Sequence, residues 1–140
     1  MTDPLVVLPN LEALLSDFLR NQPELAGVDV RTVFGDTVDY PAIRITLIGD
    51  EKVTSEPLWI VRGSLQIEAY ADRKAEAYST AAMAEGVIAA RIKGEHERGV
   101  VAGVDVSPKI YLPDDEYEPA KHRYITGCTL VARPLATITS

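Results

Sequence analysis

The sequence predicts a single α+β domain over residues 1–140, in which two helices pack on one face of a mainly antiparallel sheet of four to five strands. Two segments have helical periodicity, and the segments between and after them alternate apolar with polar residues. Their order is helix, three strands, helix, two strands, which differs from the regular strand–helix alternation of a parallel sheet. No linker or internal repeat divides the chain, and 140 residues correspond to one domain.

The first helix is predicted at residues 11–19. Leucine and phenylalanine recur there at the i, i+3, i+4, i+7 spacing of one helix face. Pro23 ends the helix, because proline disfavours helical geometry in the residue before it. We therefore expect the apolar face of this helix to cover the sheet.

Three strands are predicted between the helices. Residues 28–34 alternate over a short stretch, and residues 42–47 alternate more regularly until Gly49 and Asp50 interrupt the pattern. The second of these strands is therefore expected to be half-buried. The polar residues 50–57 predict a loop.

The third of these strands is long and covers residues 58–70. One face is apolar, whereas the other carries Arg62, Ser64, Gln66 and Glu68. Because this length exceeds that of a usual strand, we expect the strand to bend at Gly63 or to project as a hairpin arm. The polar residues predict a second sheet face that contacts water or a neighbouring subunit.

The second helix is predicted at residues 73–93, with Asp72 as its N-cap and Gly94 at its C-terminal cap. Two more strands follow, at residues 100–106 and 123–133. The loop before the last strand runs between two prolines and carries four acids, Asp114, Asp115, Glu116 and Glu118.

The charge balance excludes one class of function. The chain has 14 Lys and Arg against 21 Asp and Glu, a net charge of −7. A module that binds DNA or RNA through phosphates needs clustered basic residues, so specific nucleic-acid binding is not expected. Residues 1–70 contain 11 acids and 5 bases, so this half of the chain carries −6 of the total.

The single cysteine, Cys128, cannot form an intrachain disulfide and is predicted to be a small core residue. No apolar run approaches the roughly 20 residues that cross a bilayer. The N-terminus also lacks the basic and apolar regions of a signal peptide. We expect a soluble protein without a membrane partner.

Motifs for catalysis and metal binding are absent from the sequence. Residues 94–99 have the glycine spacing of a phosphate loop, but valines follow where Lys and Ser or Thr are needed. His96 and His122 lack the partners of a catalytic triad or a zinc site. The acidic loop lacks the residue spacing of a calcium-binding EF-hand loop. Its simplest interpretation is a run of charged side chains in contact with water. We expect neither an enzyme nor a bound cofactor or metal.

Trp59 is the only tryptophan and begins the longest predicted strand, beside Leu58 and Ile60. Both faces of the strand are apolar at this point. Trp59 is therefore either ordinary core or part of a surface covered by a neighbouring subunit, since aromatic residues are enriched at interfaces.

Several segments together resemble a known family. They are "VFGDTVDYPAIRITLIGD" at residues 33–50, "LWIVRGSLQIEAYADRKAEAY" at residues 58–78, and the acidic, proline-bounded loop before the last strand. With the N-terminal helix, these segments are similar to tail terminator (tail completion) proteins of long-tailed bacteriophages. The resemblance covers roughly residues 5–135 and rests on the order of helices and strands and on the sequences of short segments.

This resemblance implies a virion protein of the tail that is assembled in the host cytoplasm. It implies a hexameric ring that caps the head-proximal end of the tail tube, stops tube polymerisation and docks the head connector. DNA would pass through the ring without specific binding. On charge and exposure, we expect Asp114, Asp115, Glu116 and Glu118 to form a lumen or end-face loop. Leu58, Trp59 and Ile60 are the expected contacts with a subunit or the tube.

Two alternatives stay open at this point. The chain fits another head–tail joining protein of the virion, such as a head closure or tube-like subunit. It also fits, less well, a monomeric ligand-binding or enzymatic α+β domain with a pocket that uses Tyr70, Tyr124 or His122.

Overall fold

The computed structural model describes residues 7–35, 37–54, 60–117 and 120–135. Within these residues it contains two α-helices, one short 3-10 helix and seven strands. The elements in chain order are α1 (Leu11–Arg20), the 3-10 helix (Pro23–Leu25), β1 (Asp29–Arg31), β2 (Ala42–Thr54), β3 (Ile60–Ala71), α2 (Lys74–Arg91), β4 (Gly94–His96), β5 (Gly99–Val106), β6 (Ile110–Tyr111) and β7 (His122–Arg133).

The strands form one sheet in the order β1-β2-β3-β7-β5-β4, and β6 pairs with β7. All of these pairs are antiparallel except β1 with β2, which is parallel. The α+β class is confirmed, but the prediction of four to five strands was too low and the sheet is mixed. The strands that the sequence pattern missed or overextended, β1, β4 and β6, are only two or three residues long, which is too short to produce an alternation.

Helix α1 confirms the predicted first helix. The side chain of Asn10 accepts a hydrogen bond from the Ala13 amide at 3.1 Å and so satisfies one free N–H of the first turn. The apolar face is buried through Leu11, Leu14, Leu15, Phe18 and Leu19.

The β2–β3 hairpin is longer than the sequence indicated. Strand β2 continues through residues 50–54, so the predicted loop at 50–57 was wrong over this part. A register shift between Leu47 and Gly49 places one extra residue in β2. This part of β2 is held by its backbone pairing with β3, and its Asp50 and Glu51 side chains are exposed at a sheet edge.

Strand β3 lies inside the sheet, because it pairs with β7 from Val61 to its end. The described part therefore does not project as an arm. At Gly63, an added Cβ would lie 2.3 Å from Leu11 Cδ1. Glycine at this position lets the start of α1 lie directly on the sheet.

Helix α2 begins one residue later than predicted, and Asp72 is not its N-cap. The N-cap residue is Arg73, without a capping side-chain hydrogen bond, and the Asp72 carboxylate instead accepts a hydrogen bond from Lys121. At the other end the C-cap residue is Ile92, so the prediction of Gly94 as the C-terminal cap was wrong; Gly94 has φ +126° and begins β4. The Asp72 side chain therefore forms an ion pair with Lys121 and does not cap the helix.

Both helices pack on the same face of the sheet, as predicted. Residues of β2, β3 and β7 that lie opposite one another in register form the floor of the core, and α1 and α2 cover it. The floor includes Ile43, Ile45, Leu65, Ile67, Cys128 and Leu130. None of the helices in the described part of the chain is long and apolar enough to cross a membrane.

Candidate functional site

The sheet face opposite the helices carries a buried ionic cluster. Its centre is Glu68 of β3, which is only 2% exposed. Arg44 of β2 binds both carboxylate oxygens, with Nε to Oε1 and Nη2 to Oε2 at 3.0 Å each. Arg123 of β7 donates from Nη1 to Oε2 at 2.9 Å. The prediction that Glu68 lies exposed on a polar face was therefore wrong.

Tyr70 links this centre to the acidic loop. Its hydroxyl oxygen lies 2.9 Å from Glu68 Oε2 and 3.1 Å from Asp114 Oδ2, and its single proton is donated to one of them at a time. Asp114 also lies 3.6 Å from Arg123 Nη1. The cluster thus contains two carboxylates and two guanidinium groups, so its formal charges cancel.

The pKa of Glu68 is lowered in this setting. Burial by itself would raise the pKa of this carboxyl, but hydrogen bonds from Arg44 and Tyr70 and the charges of Arg44 and Arg123 outweigh it. Burial raises the pKa of the Tyr70 hydroxyl, so Tyr70 stays protonated. The partners of Glu68 therefore keep its carboxylate ionised, and Glu68 accepts their hydrogen bonds as part of a structural ion pair.

Aromatic rings from two loops cover the cluster. Phe34 packs against Tyr70 with ring centroids 5.2 Å apart, and the Arg44 guanidinium lies 5.5 Å from the Phe34 ring centroid. Tyr117 of the acidic loop packs between Tyr70 and Tyr40, at 6.1 and 6.3 Å. These contacts attach the acidic loop to the sheet.

The predicted acidic loop residues have different environments. Asp114 is 7% exposed and accepts a hydrogen bond from the Glu116 amide at 3.0 Å. Its backbone also bridges to Lys121. Asp115 and Glu116 are exposed, whereas Glu118 lies outside the described residues. Asp114 thus anchors the turn, and the lumen or end-face role of Asp115 and Glu116 stays a prediction.

Of the predicted interface residues, Leu58 and Trp59 lie outside the described residues. Ile60 is half-buried at the start of β3 and pairs with Thr54. Their role as subunit or tube contacts stays a prediction.

The residues considered for an enzymatic pocket do not all lie on one side of the sheet. His122 and Tyr124 both contact the Tyr111 ring, whereas Tyr70 lies on the opposite side. In β3 and β7, Tyr70 is opposite Arg123 on the cluster side of the sheet, whereas Tyr124 is opposite Ala69 on the helix side. His122 pairs through Nδ1 with the Tyr111 hydroxyl at 2.7 Å. Among the residues that the structure describes, no group of three or more His, Cys, Asp or Glu is placed to hold a metal ion.

Cys128 is confirmed as a buried core residue. Burial, with a smaller contribution from the charge of Asp105, raises the pKa of its thiol to about 12. The thiol is therefore inert near neutral pH.

A groove of about 730 Å³ lies between α2 and the end of β5. Residues of α2 form one wall, with Ala82, Gly86 and Ala89 between the larger Tyr78 and Glu85, and Val106 with Pro108 lies on the other. At its rim, Lys109 pairs with Glu85 at 3.1 Å and lies 4.4 Å from the Tyr78 ring centroid. Sequence reasoning missed this groove, because its two walls are distant in the chain and neither contains a motif.

The lowered pKa of Glu68 predicts how stability depends on pH. A carboxyl whose pKa is lower in the folded state stabilises the fold above its ordinary pKa of 4.5, and this contribution is lost as the pH falls through the lowered value. The difference in free energy of unfolding between the wild type and Glu68→Gln should therefore shrink as the pH falls from about 5 to 3. Urea unfolding at several pH values measures it. A difference that stays constant over this range would show that the pKa of Glu68 is not lowered in the folded protein.

The fold of this chain is shared with solved structures of known proteins. No protein-family model matches the sequence, and no curated protein matches it. Solved structures do match, among them a chain from a structure described as "Virion of native gene transfer agent (GTA) particle". It is 14% identical, with a TM-score of 0.60, and the match covers 88% of this chain and 94% of that one. At this identity the likeness establishes a shared fold.

Proposed function

We propose that this chain is a structural protein of a phage-like virion and, within the virion, a tail terminator. The observation that carries the proposal is the fold shared with a gene transfer agent virion chain over nearly the whole of both chains. The sequence segments that resemble tail terminators support the finer assignment, because they span the same domain.

In this function, six copies form a ring on the head-proximal end of the tail tube. The ring ends tube polymerisation and offers its other side to the head connector. Such a ring requires a heterologous interface, in which one patch of each subunit meets a different patch of the next. The proposed partners are therefore a second copy, the tail tube protein and the connector, and the place of action is the virion tail.

The charge fits a ring through which DNA moves. Six copies carry 6 × −7 = −42 charges, and exposed acids that face a channel repel DNA phosphates. Asp115 and Glu116 are suited to this role, because Asp114 and Tyr117 hold their turn in place while both side chains stay exposed. DNA then passes without specific binding, and neither catalysis nor a cofactor is part of the proposal.

Adding the purified protein to tail tubes that lack a terminator tests the function. We expect rings on tube ends in negative-stain micrographs and tubes that stop growing. No rings, together with unchanged tube growth, would refute the tail terminator assignment. Binding to isolated heads and not to tubes would indicate instead a head closure protein of the same virion.

A second set of samples in the same assay tests the predicted interface. Trp59→Glu should abolish ring formation while the circular dichroism spectrum of the monomer stays unchanged, because a charge is placed in a contact that excludes water. Trp59→Phe is the control, since it keeps an aromatic side chain. Normal rings from Trp59→Glu would show that Trp59 is not a contact.

A further inference from the structure

Tyr70 contacts both ends of the acidic turn at residues 114–117. Its hydroxyl oxygen lies 3.1 Å from Asp114 Oδ2, and its ring packs against Tyr117 with the ring centroids 6.1 Å apart. Asp115 and Glu116, which lie between these two contacts, are exposed. One side chain of the sheet thus contacts the residues on both sides of the two exposed acids.

Tyr70 itself is held firmly in place. It is fully buried on β3, which lies between β2 and β7. The Phe34 ring packs against it, and the guanidinium groups of Arg44 and Arg123 lie 5.7 and 5.8 Å from its ring centroid. A buried side chain that is packed on several sides is held in one rotamer. Tyr70 therefore provides a rigid point to which the turn is attached.

The Tyr70 hydroxyl matters more to Asp114 than to Glu68. Glu68 Oε2 also accepts hydrogen bonds from Arg44 Nη2 at 3.0 Å and from Arg123 Nη1 at 2.9 Å. Among the described residues, no second donor lies within hydrogen-bonding distance of Asp114 Oδ2, since Arg123 Nη1 is 3.6 Å away. Because a buried acceptor without a donor is costly, Asp114 depends on this hydroxyl, whereas Glu68 keeps both arginines without it.

In the proposed ring, the exposed acids of neighbouring copies lie around one channel. Charges of the same sign that approach within about 10 Å repel each other at physiological salt. This repulsion would move an unattached turn away from the channel, and its acids would then no longer face DNA. Attachment of the turn to the sheet opposes that movement in every copy.

We propose that Tyr70 is the positioning residue of the acidic turn. Through Asp114, its hydroxyl holds Asp115 and Glu116 toward the channel against the repulsion of the same acids in the other copies. The inference rests on the proposed ring and identifies the residue that orients its DNA-facing acids. The turn is already held in the free monomer, so the position of the acids does not wait for ring assembly.

Hydrogen exchange of the free monomer, measured by NMR, tests this role without tubes. The Glu116 amide donates to Asp114 Oδ1 at 3.0 Å and therefore reports on the turn. Tyr70→Phe removes the hydroxyl but keeps the ring, so the Glu116 amide should exchange about tenfold faster, as expected when a hydrogen bond to a charged group is lost. Tyr124→Phe is the matched control, because Tyr124 lies on the helix side of the sheet. An unchanged rate in Tyr70→Phe would overturn the proposal, and so would equally faster exchange of the β3 amides, which would indicate a general loss of stability.

A double variant tests whether Tyr70 acts through Asp114. The Lys121 amide donates to the backbone carbonyl of Asp114 at 3.2 Å, so its exchange can be followed after the Asp114 side chain is removed. Asp114→Ala and Tyr70→Phe should each speed this exchange, and the double variant should be no faster than Asp114→Ala. Additive effects would overturn the positioning role, because the hydroxyl would then act through a different contact.

Rings on tube ends test the repulsion between copies. Tyr70→Phe should still cap tubes, and mass spectrometry should show faster hydrogen exchange of its acidic turn at low salt than at about 0.5 M salt, which screens the charges. Wild-type rings and the free Tyr70→Phe monomer should show no such difference. Equal exchange at both salt concentrations in Tyr70→Phe rings would retain the tail terminator function and overturn the repulsion. No rings from the wild type would reject that function, while the monomer experiments would still decide whether Tyr70 positions the turn.

Discussion

Replacing Glu68 with alanine is expected to lower the free energy of unfolding by about 3–5 kcal/mol. The carboxylate is buried and receives hydrogen bonds from Arg44, Arg123 and Tyr70. Its removal leaves two guanidinium groups at the sheet face without their shared counter-charge, and burying an uncompensated charge is costly. Urea unfolding at pH 7, followed by circular dichroism, measures the change.

A matched pair on the same sheet face provides the control. Glu51 and Arg62 also form a cross-strand ion pair, at 3.4 Å, but their side chains are 67% and 51% exposed. Glu51→Gln should therefore change stability by about 0.5 kcal/mol or less. If Glu68→Ala cost no more than Glu51→Gln, the cluster would contribute no more than a surface ion pair.

Loss of Glu68 should also loosen the acidic loop, which would keep its backbone bridge between Asp114 and Lys121. Asp114 and Tyr117 are its described attachments to Tyr70, and Tyr70 in turn is oriented by Glu68. The ionic cluster thus acts as a support for the exposed Asp115 and Glu116, the residues proposed to face DNA.

The second large effect is expected where α1 meets the sheet. Leu11→Ala removes a fully buried side chain and should cost about 2–5 kcal/mol. Gly63→Ala adds a methyl group 2.3 Å from Leu11 Cδ1 and should cost about 1–3 kcal/mol through overpacking. In the double variant the added methyl occupies part of the space that Leu11 leaves, so its cost should be less than the sum of the two single costs.

A double-mutant cycle in urea measures this coupling. We expect the double variant to be at least about 1 kcal/mol more stable than additivity predicts, a value typical of residues in direct contact. Leu11→Ala with Gly86→Ala serves as the control, because Gly86 is exposed on α2 and touches nothing near Leu11. Additive costs in the Leu11 and Gly63 pair would show that the helix shifts to accommodate the methyl group.

Much of the fold was predictable because the spacing of apolar residues within each segment indicates which of its side chains are buried. Both helices, the long strands and the shared apolar face follow from the spacing of apolar residues over six or more positions. The short strands β1, β4 and β6 were not predictable in this way. They exist because a longer neighbour offers free backbone groups, which is a property of the assembled sheet and not of their own residues.

The burial of the ionic cluster could likewise not be predicted from local sequence. Alternation places Glu68 on the polar side of β3, and polar side chains on one sheet face are usually solvated. Burial here depends on Phe34 and Tyr117, which lie 34 and 49 residues away in sequence. The one available signal was the opposite charges of Arg44, Glu68 and Arg123 on three predicted strands. Their closeness becomes visible only once the register is known, because Arg44 lies opposite Glu68 and Arg123 lies opposite Tyr70, two residues further along β3.

By itself, the sequence determined the α+β class, the faces of both helices, the buried Cys128 and an acidic surface, since each depends on residue type and short-range spacing. Only the tertiary structure decided which acids are exposed, which strands lie at the edges of the sheet and where the groove beside α2 lies. Those features depend on strand order and register, and register is set by packing between segments that are far apart in the chain.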